Sequence, residues 1–268
     1  MDTTTPKSVS SVSSTQENAR VAMRENASVA TTDTTTDPTT SSRTGQPAGA
    51  GNWFVLVGIV LYLCEFVGFA IAGGYPSNEP GTPLDQVPAA YVGFEDGAGF
   101  LVGWMALVLT GRILIVIGLR SVIGRSALLD WAVAAMVVSV AVEVVSVGAI
   151  AAAAALVAKG AGLDSVVMAD QLAWSLGSGA TAAGGLAALL AALGMSRSGL
   201  FPRALTAVGV VLGAVMLTSG LLAGAPATYP VASTLSIAVL FWFCWVVWTG
   251  ILLARRAGLA RAAARLEQ

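Results

Sequence analysis

Three ionisable residues stand inside apolar stretches of this chain, where a charge needs either a partner or water. Arg112 lies within residues 98–120, a stretch apolar enough to span a bilayer, and Glu65 and Glu143 lie within two other such stretches. At a rise of about 1.5 Å per residue, Arg112 is about 12 Å from Arg120, which places it near mid-bilayer. We therefore expect the three side chains to turn inward and to contact one another.

Hydroxyl groups accompany these charges on the predicted helices. A serine lies one turn before Glu143 and another one turn after it, and a tyrosine lies three residues before Glu65. Two more serines share a face of the fourth apolar stretch with Gln171. The predicted buried polar cluster therefore comprises Glu65, Arg112, Glu143, Tyr62, Ser139, Ser146, Ser175 and Ser178.

The cluster allows a structural and a functional interpretation. In the structural one, Arg112 pairs with one glutamate, and hydroxyl groups satisfy the remaining polar atoms. In the functional one, the cluster is a proton- or substrate-binding site. Two acids against one base leave one carboxylate without a basic partner, and such a group could exchange a proton.

Enzyme motifs fit this sequence poorly. It contains no GxSxG motif and no glycine-rich phosphate loop. It also contains no histidine, which excludes an HExxH zinc site, a Ser-His-Asp triad and histidine-ligated haem. Asp130 and Asp170 are interpreted as helix-end residues rather than as a metal pair. We expect no catalytic, metal-binding or cofactor-binding residue, and no cofactor.

The composition is that of a membrane protein. The chain is 56% hydrophobic and only 11% charged, whereas a soluble domain has about 25% charged residues. Six apolar stretches are each close to the roughly 20 residues that span a bilayer, and helix is the open-chain structure that lipid permits. We predict an all-α polytopic bundle of six transmembrane helices, at about residues 53–74, 98–119, 128–157, 167–195, 202–224 and 232–254.

Two polar tails flank the predicted transmembrane domain of residues 52–256. Residues 1–51 are rich in Thr and Ser and are expected to be disordered, because they cannot bury enough apolar surface. Residues 257–268 form a short basic tail. The net charge of −1 gives no reason to expect a nucleic-acid partner.

The arginines outside the apolar stretches lie in every second predicted loop, on one side of the membrane. Eight lie in the loops and tail on one side of the membrane, whereas the loops on the other side contain Lys159 as their base. The positive-inside rule then places both termini in the cytoplasm. The basic set comprises Arg120, Arg125, Arg197, Arg203, Arg255, Arg256, Arg261 and Arg265, of which the last four could also bind anionic lipid. The composition is typical of high-GC bacteria, so we expect a bacterial inner membrane.

The first outer loop and three glycine pairs carry structural expectations. Thr82, followed by Pro83 and Asp85, predicts a capped short helix with Leu84, Val87 and Tyr91 on the bilayer. That helix could cover an outward-facing cavity, or the loop could have no role. Three GxxxG pairs predict close helix packing within the chain: Gly99 with Gly103, Gly209 with Gly213, and Gly220 with Gly224.

Three landmarks together resemble a known family. They are GFLVGWMALVLTGRILIVIGLRSVI in the second stretch, the small and hydroxyl-rich fourth stretch, and SRSGLFPRALTAVGVVLGAVML, where a basic turn ends in Pro202-Arg203. Over about residues 53–256 the chain resembles a bacterial family of six-helix integral membrane proteins that is defined only as a domain of unknown function. The resemblance implies six helices, and it implies no activity and no site residue.

Three functional hypotheses follow. The first is a small-molecule or proton-linked carrier that uses the buried polar cluster. The second is a membrane sensor or assembly partner that acts through its cytoplasmic tails. The third is an intramembrane enzyme that acts on a lipid.

Overall fold

The computed structural model describes residues 50–74, 76 and 78–266. Side chains are described for the residues of this set that lie between positions 52 and 256. Residues 1–49 of the predicted N-terminal tail and the side chains of Arg261 and Arg265 lie outside the described residues. Helices α1 to α9 are, in chain order, Ala50–Leu63, Glu65–Ile71, Glu95–Val108, Thr110–Ile123, Ala127–Ala158, Leu163–Ser198, Arg203–Ala223, Tyr229–Ser236 and Ala238–Leu266.

Within this described part, the chain is all-helical and has six helical spans long and apolar enough to cross a membrane. The spans are Asn52–Ile71, Glu95–Ile123, Ala127–Ala158, Leu163–Ser198, Arg203–Ala223 and Tyr229–Arg256, which agree with the six predicted stretches to about one helical turn. In each span's most apolar window, 33 to 44% of the residues are buried inside the protein. Large apolar side chains such as Trp131 and Leu221 face outward, as in a multi-pass membrane protein.

The six spans form a ring in chain order. Each span packs against the next one along the chain, and the sixth span also packs against the first. Because successive spans run in opposite directions, Arg120, Arg197, Arg203 and Arg256 lie at one end of the bundle, which we call the arginine end. The other end carries the loop between the first and second spans, and we call it the loop end.

The helices approach most closely where glycine replaces a side chain. A Cβ atom added to Gly111 would lie 2.5 Å from the carbonyl oxygen of Gly58, and the reverse distance is 2.6 Å. These two glycines therefore form the crossing of the first and second spans. The fourth and fifth spans meet in the same way, because a Cβ on Gly213 would lie 2.4 Å from the backbone nitrogen of Leu189.

The three predicted GxxxG pairs differ in outcome. Gly209 and Gly213 both lie in tight helix contacts, and so does Gly220, but the expectation is wrong for Gly224, where an added Cβ atom would meet no atom within 4 Å. The expectation is wrong for Gly99 and Gly103, because a Cβ atom added to either would meet no atom within 4 Å. Both face outward from the second span, so their small size serves no helix contact within the protein.

Three of the spans have a one-residue irregularity in their helical hydrogen-bond pattern, which we call a break, although the backbone torsion angles at each of these residues stay in the α-helical region. The first span breaks at Cys64, the second at Leu109 and the sixth at Ile237. At the first break, the carbonyl oxygen of Cys64 accepts a hydrogen bond of 2.8 Å from the indole of Trp104. Gly68 leaves room for that indole, because a Cβ there would lie 2.2 Å from it.

A short 3-10 helix, Leu84–Tyr91, lies in the first outer loop. The predicted cap is wrong, because Pro83 precedes the helix and the Thr82 hydroxyl instead donates to the carbonyl of Glu79. The predicted bilayer contact is also wrong for Val87 and Tyr91, which are buried against the bundle, whereas Leu84 is exposed. We call this element the loop helix.

Candidate functional site

Glu65, Arg112 and Glu143 meet inside the bundle. The Arg112 Nη1 and Nη2 atoms lie 2.5 and 3.2 Å from the two carboxylate oxygens of Glu143, and Nη2 also lies 3.0 Å from Glu65 Oε2. Arg112 therefore bridges both carboxylates, whereas the structural interpretation had expected it to pair with only one of them. The side chains of Glu65, Arg112 and Glu143 are 9, 14 and 22% exposed, so Glu143 is the most accessible of them.

Tyr62 lies beneath the guanidinium group. The Arg112 Cζ atom is 4.6 Å from the centre of the Tyr62 ring, which is a cation–π contact. The other side of the ring stacks on Phe243 of the sixth span, with centroids 4.2 Å apart. Arg112 is therefore held by side chains from the first and third spans, and the sixth span supports Tyr62 from behind.

The local backbone explains how these side chains reach one another. Glu65 directly follows the break at Cys64, and Arg112 lies three residues after the break at Leu109. The Gly58–Gly111 crossing brings the two backbones together one residue from Arg112. The close packing and the two breaks thus bring the side chains of Glu65 and Arg112 toward Glu143 of α5.

Ser139 and Ser146 have a different role from the predicted one. Their hydroxyls donate hydrogen bonds of 2.7 Å to the carbonyl oxygens of Ala180 and Ala173 in the fourth span. They therefore link the third and fourth spans instead of satisfying the charged groups. The two bonds also fix the relative height of α5 and α6.

Ser175 and Ser178 are bonded within their own helix. Their hydroxyls donate to the carbonyl oxygens of Gln171 and Trp174, one turn earlier. Neither serine hydrogen-bonds to the three charged side chains. Ser178 lines the same cavity as Glu143, whereas Ser175 lines a second cavity nearer the loop end.

A cavity of about 300 Å³ begins at Glu143 and extends toward the loop end. We call it the inner cavity. Residues of the third to sixth spans and of the first outer loop line it, including Glu143, Ser146, Asp170, Trp174, Ser178, Thr181, Ser219, Tyr229, Ser233 and Ser236. It therefore places the Arg112-bonded carboxylate beside a space lined with hydroxyl groups. On the other side of Glu143, toward the arginine end, an apolar core that includes Leu119, Met195 and Trp245 fills the bundle.

Asp170 lines the inner cavity near the loop end, a role that the sequence did not predict. It lies seven residues into α6 instead of at a helix end, and its Oδ1 atom accepts hydrogen bonds from Asn78 (2.8 Å) and Tyr91 (2.6 Å). It also lines the second cavity, of about 410 Å³, beneath residues 78–84. One sequence signal was available, because an acid well inside an apolar helix needs a partner.

Glu143 and Asp170 lie at different heights along the bundle axis. Ser139 is level with Ala180 and Ser146 with Ala173, so Glu143 is level with residue 176 of α6. That position is six residues from Asp170, a separation of about 9 Å along the helix axis. The inner cavity thus has a carboxylate at each end.

Comparison of the chain with protein-family models, with curated proteins and with solved structures gives no match. Functional inference therefore depends on the geometry of the site. The resemblance to a six-helix family of unknown function stays a prediction.

The charged cluster has an excess of negative charge. Among the residues that the structure describes, no group of three Cys, Asp or Glu side chains could hold a metal ion. Arg112 engages both carboxylates of the charged cluster. Two acids around one guanidinium group leave one negative charge in excess, which a proton or a bound cation can neutralise.

Proposed function

We propose that the protein is a small-molecule carrier of the cell membrane, linked to proton movement through Glu143. The observation that carries this proposal is that Glu143 is bonded to Arg112 and also lines the inner cavity. A structural ion pair needs no access to a cavity, whereas a carboxylate that exchanges protons or contacts a substrate does need it. Glu65, Arg112 and Tyr62 hold Glu143 in place.

The position of the inner cavity supports a carrier. The breaks in the first and second spans flank the charged cluster, and the third, at Ile237, lies between Ser236 and Val239, which both line the inner cavity. Packed side chains separate that cavity from the arginine end, as expected of a carrier in a state open toward one side.

We also propose a bacterial inner membrane as the location, with both termini in the cytoplasm. Support comes from the arginine end, where Arg120, Arg125, Arg197 and Arg203 lie in the links between spans or within a helical turn of them. At the loop end, Lys159 and the acids Glu79, Asp85 and Asp164 lie in or next to the links. In this orientation the inner cavity lies on the outer side of the charged cluster.

Reconstitution into proteoliposomes tests the carrier proposal. The native protein is expected to accelerate solute-dependent proton movement, reported by a pH-sensitive dye trapped inside, in a screen of small cations and neutral polar solutes. Glu143→Gln, which keeps the side chain's shape, is expected to abolish this flux. The matched control is Glu95→Gln, since Glu95 is exposed in the first turn of the second span and lines neither cavity.

Two results would overturn the proposal. One is native flux indistinguishable from that of empty liposomes for every solute in the screen. The other is Glu143→Gln protein that transports at the native rate. Detergent-extracted protein must elute as one species from a sizing column for each variant, so that misfolding is not taken for lost transport.

A further inference from the structure

We propose that the inner cavity binds a small organic cation, whose ammonium group is held by Asp170 and by the aromatic rings beside it. This inference rests on the proposed function, because it names the class of solute carried. It stands on the charge, the aromatic lining and the size of the cavity.

The Asp170 carboxylate has one oxygen in use and one available. Asn78 and Tyr91 both donate to Oδ1, whereas Oδ2 accepts no hydrogen bond from any residue that the structure describes. The two donors orient the carboxylate without neutralising it, since neither carries a charge. A cationic donor is the partner that an ionised oxygen binds most strongly.

Aromatic rings flank this carboxylate. Tyr91, Trp174 and Tyr229 line the inner cavity together with Asp170. Trp174 and Tyr229 meet edge to face, with centroids 5.3 Å apart and planes at 70°. The Trp174 indole is fixed by a 3.0 Å hydrogen bond to the carbonyl oxygen of Ala223. Aromatic walls beside an acid are the arrangement that recognises ammonium groups.

The charge of the cavity excludes anions. Its lining contains the acids Glu143 and Asp170, and none of the described lining residues is a lysine or an arginine. Arg112 lies behind Glu143 and is occupied by the two glutamates. A positively charged ligand therefore meets the Asp170 carboxylate near the loop end and the net negative charge of the cluster at the inner end.

The size of the cavity favours a small ligand. Its volume of about 300 Å³ is at the lower limit of small-molecule sites, which span about 300–1,000 Å³. The hydroxyls of Ser219 and Ser178 already donate to backbone carbonyls, so they present mainly lone pairs to the space. Such a lining accepts hydrogen bonds from a ligand's hydroxyl or amine protons.

Equilibrium binding of radiolabelled choline to the purified full chain in detergent tests the inference. We expect saturable binding that tetramethylammonium displaces. The uncharged choline analogue, in which a tert-butyl group replaces the trimethylammonium group, is expected not to compete. Asp170→Asn is expected to weaken choline binding about tenfold or more, because the charge-assisted contact is lost. The control Asp164→Asn, in the exposed first turn of the same helix, should bind as the native chain does.

A second variant separates recognition from folding. Trp174→Leu is expected to weaken choline binding by about tenfold. The control Trp131→Leu removes an indole that is 69% exposed on the outer surface of the bundle and should have no effect on binding. Both variants are compared only after they elute as the native protein does from a sizing column.

Several outcomes would overturn the inference. They are native protein that binds neither choline nor tetramethylammonium, competition by the uncharged analogue, or native affinity in both Asp170→Asn and Trp174→Leu. If no cation binds but Glu143→Gln still abolishes proton flux, the cation site is refuted and the carrier is retained. If choline binds as expected but no solute is transported, the carrier is refuted and the cation site is retained.

Discussion

Replacing Arg112 with methionine tests whether the charged cluster holds the bundle together. Methionine fills a similar volume without a charge, so Arg112→Met leaves Glu65 and Glu143 facing each other inside the protein. The native guanidinium group makes three hydrogen bonds to these carboxylates, at 2.5, 3.0 and 3.2 Å. The expected effect is a large loss of stability.

The magnitude follows from the burial of the cluster. Breaking a buried ion pair by removing one partner costs about 3–5 kcal/mol. Glu143 is 22% exposed and borders a cavity, so water can reach it and the lower value applies. For a chain of this size, about 3 kcal/mol corresponds to a fall of about 6–12 °C in the midpoint of thermal unfolding. Tryptophan fluorescence of the protein in detergent reports that midpoint.

A matched control and a rescue variant sharpen this test. Arg120→Met removes an arginine from the same helix whose partner, Asp130, is 49% exposed, so the expected loss is below about 1 kcal/mol. The triple variant Glu65→Gln, Arg112→Met and Glu143→Gln has no buried charge left. We expect it to regain most of the lost stability, because replacing a whole buried ion pair is often neutral. It should still lack transport.

Two results would refute the reasoning about Arg112. One is a midpoint for Arg112→Met that falls no further than that of Arg120→Met. The other is a triple variant as unstable as Arg112→Met, since uncompensated charge would then not be the cause. A triple variant that transports at the native rate would instead contradict the carrier proposal.

Three further variants test the packing, each by the same unfolding midpoint. Gly111→Ala puts a Cβ atom 2.5 Å from a backbone carbonyl oxygen and should lower the free energy of unfolding by about 1–3 kcal/mol. The control Gly103→Ala, whose Cβ atom meets no atom within 4 Å, should be neutral. Equal effects of the two variants would disprove the close crossing. Ser139→Ala should cost only about 0.6 kcal/mol, a typical interhelical hydrogen bond in lipid, and a loss above about 2 kcal/mol would contradict this. Trp245→Phe removes a buried 2.8 Å hydrogen bond to a carbonyl oxygen and should lower the free energy of unfolding by about 1–3 kcal/mol. Trp248 is exposed, so an equal loss of stability in the control Trp248→Phe would count against a role for that bond.

Side-chain partners were the hardest feature to predict. The sequence indicated that the serines beside Glu143 face the bundle interior, and both are buried. It did not indicate that Ser139 and Ser146 donate to carbonyls of α6, because those acceptors are 41 and 27 residues away in the chain. Periodicity identifies the face of a helix, whereas the partner depends on the register between two helices.

The helix breaks and the partners of Asp170 could also not be predicted from the sequence. An apolar stretch satisfies the requirements of lipid whether or not one turn is distorted, so nothing local predicted a break at Cys64 or Leu109. Asp170 was interpreted as a helix-end residue because it lies near the edge of its apolar stretch. Its two donors, Asn78 and Tyr91, lie in the first outer loop, 92 and 79 residues earlier in the chain. Only folding brings that loop over α6.

The sequence by itself determined the six spans and the inward position of the mid-depth charges. Both follow from the solvent, because hydrocarbon about 30 Å thick requires apolar helices of a given length and does not tolerate an unpaired charge. The tertiary structure alone decided that Arg112 bridges both glutamates and that a cavity separates Glu143 from Asp170. Those features depend on how the ring of spans closes and on which glycines let the helices meet, and these are properties of contacts between residues far apart in the chain.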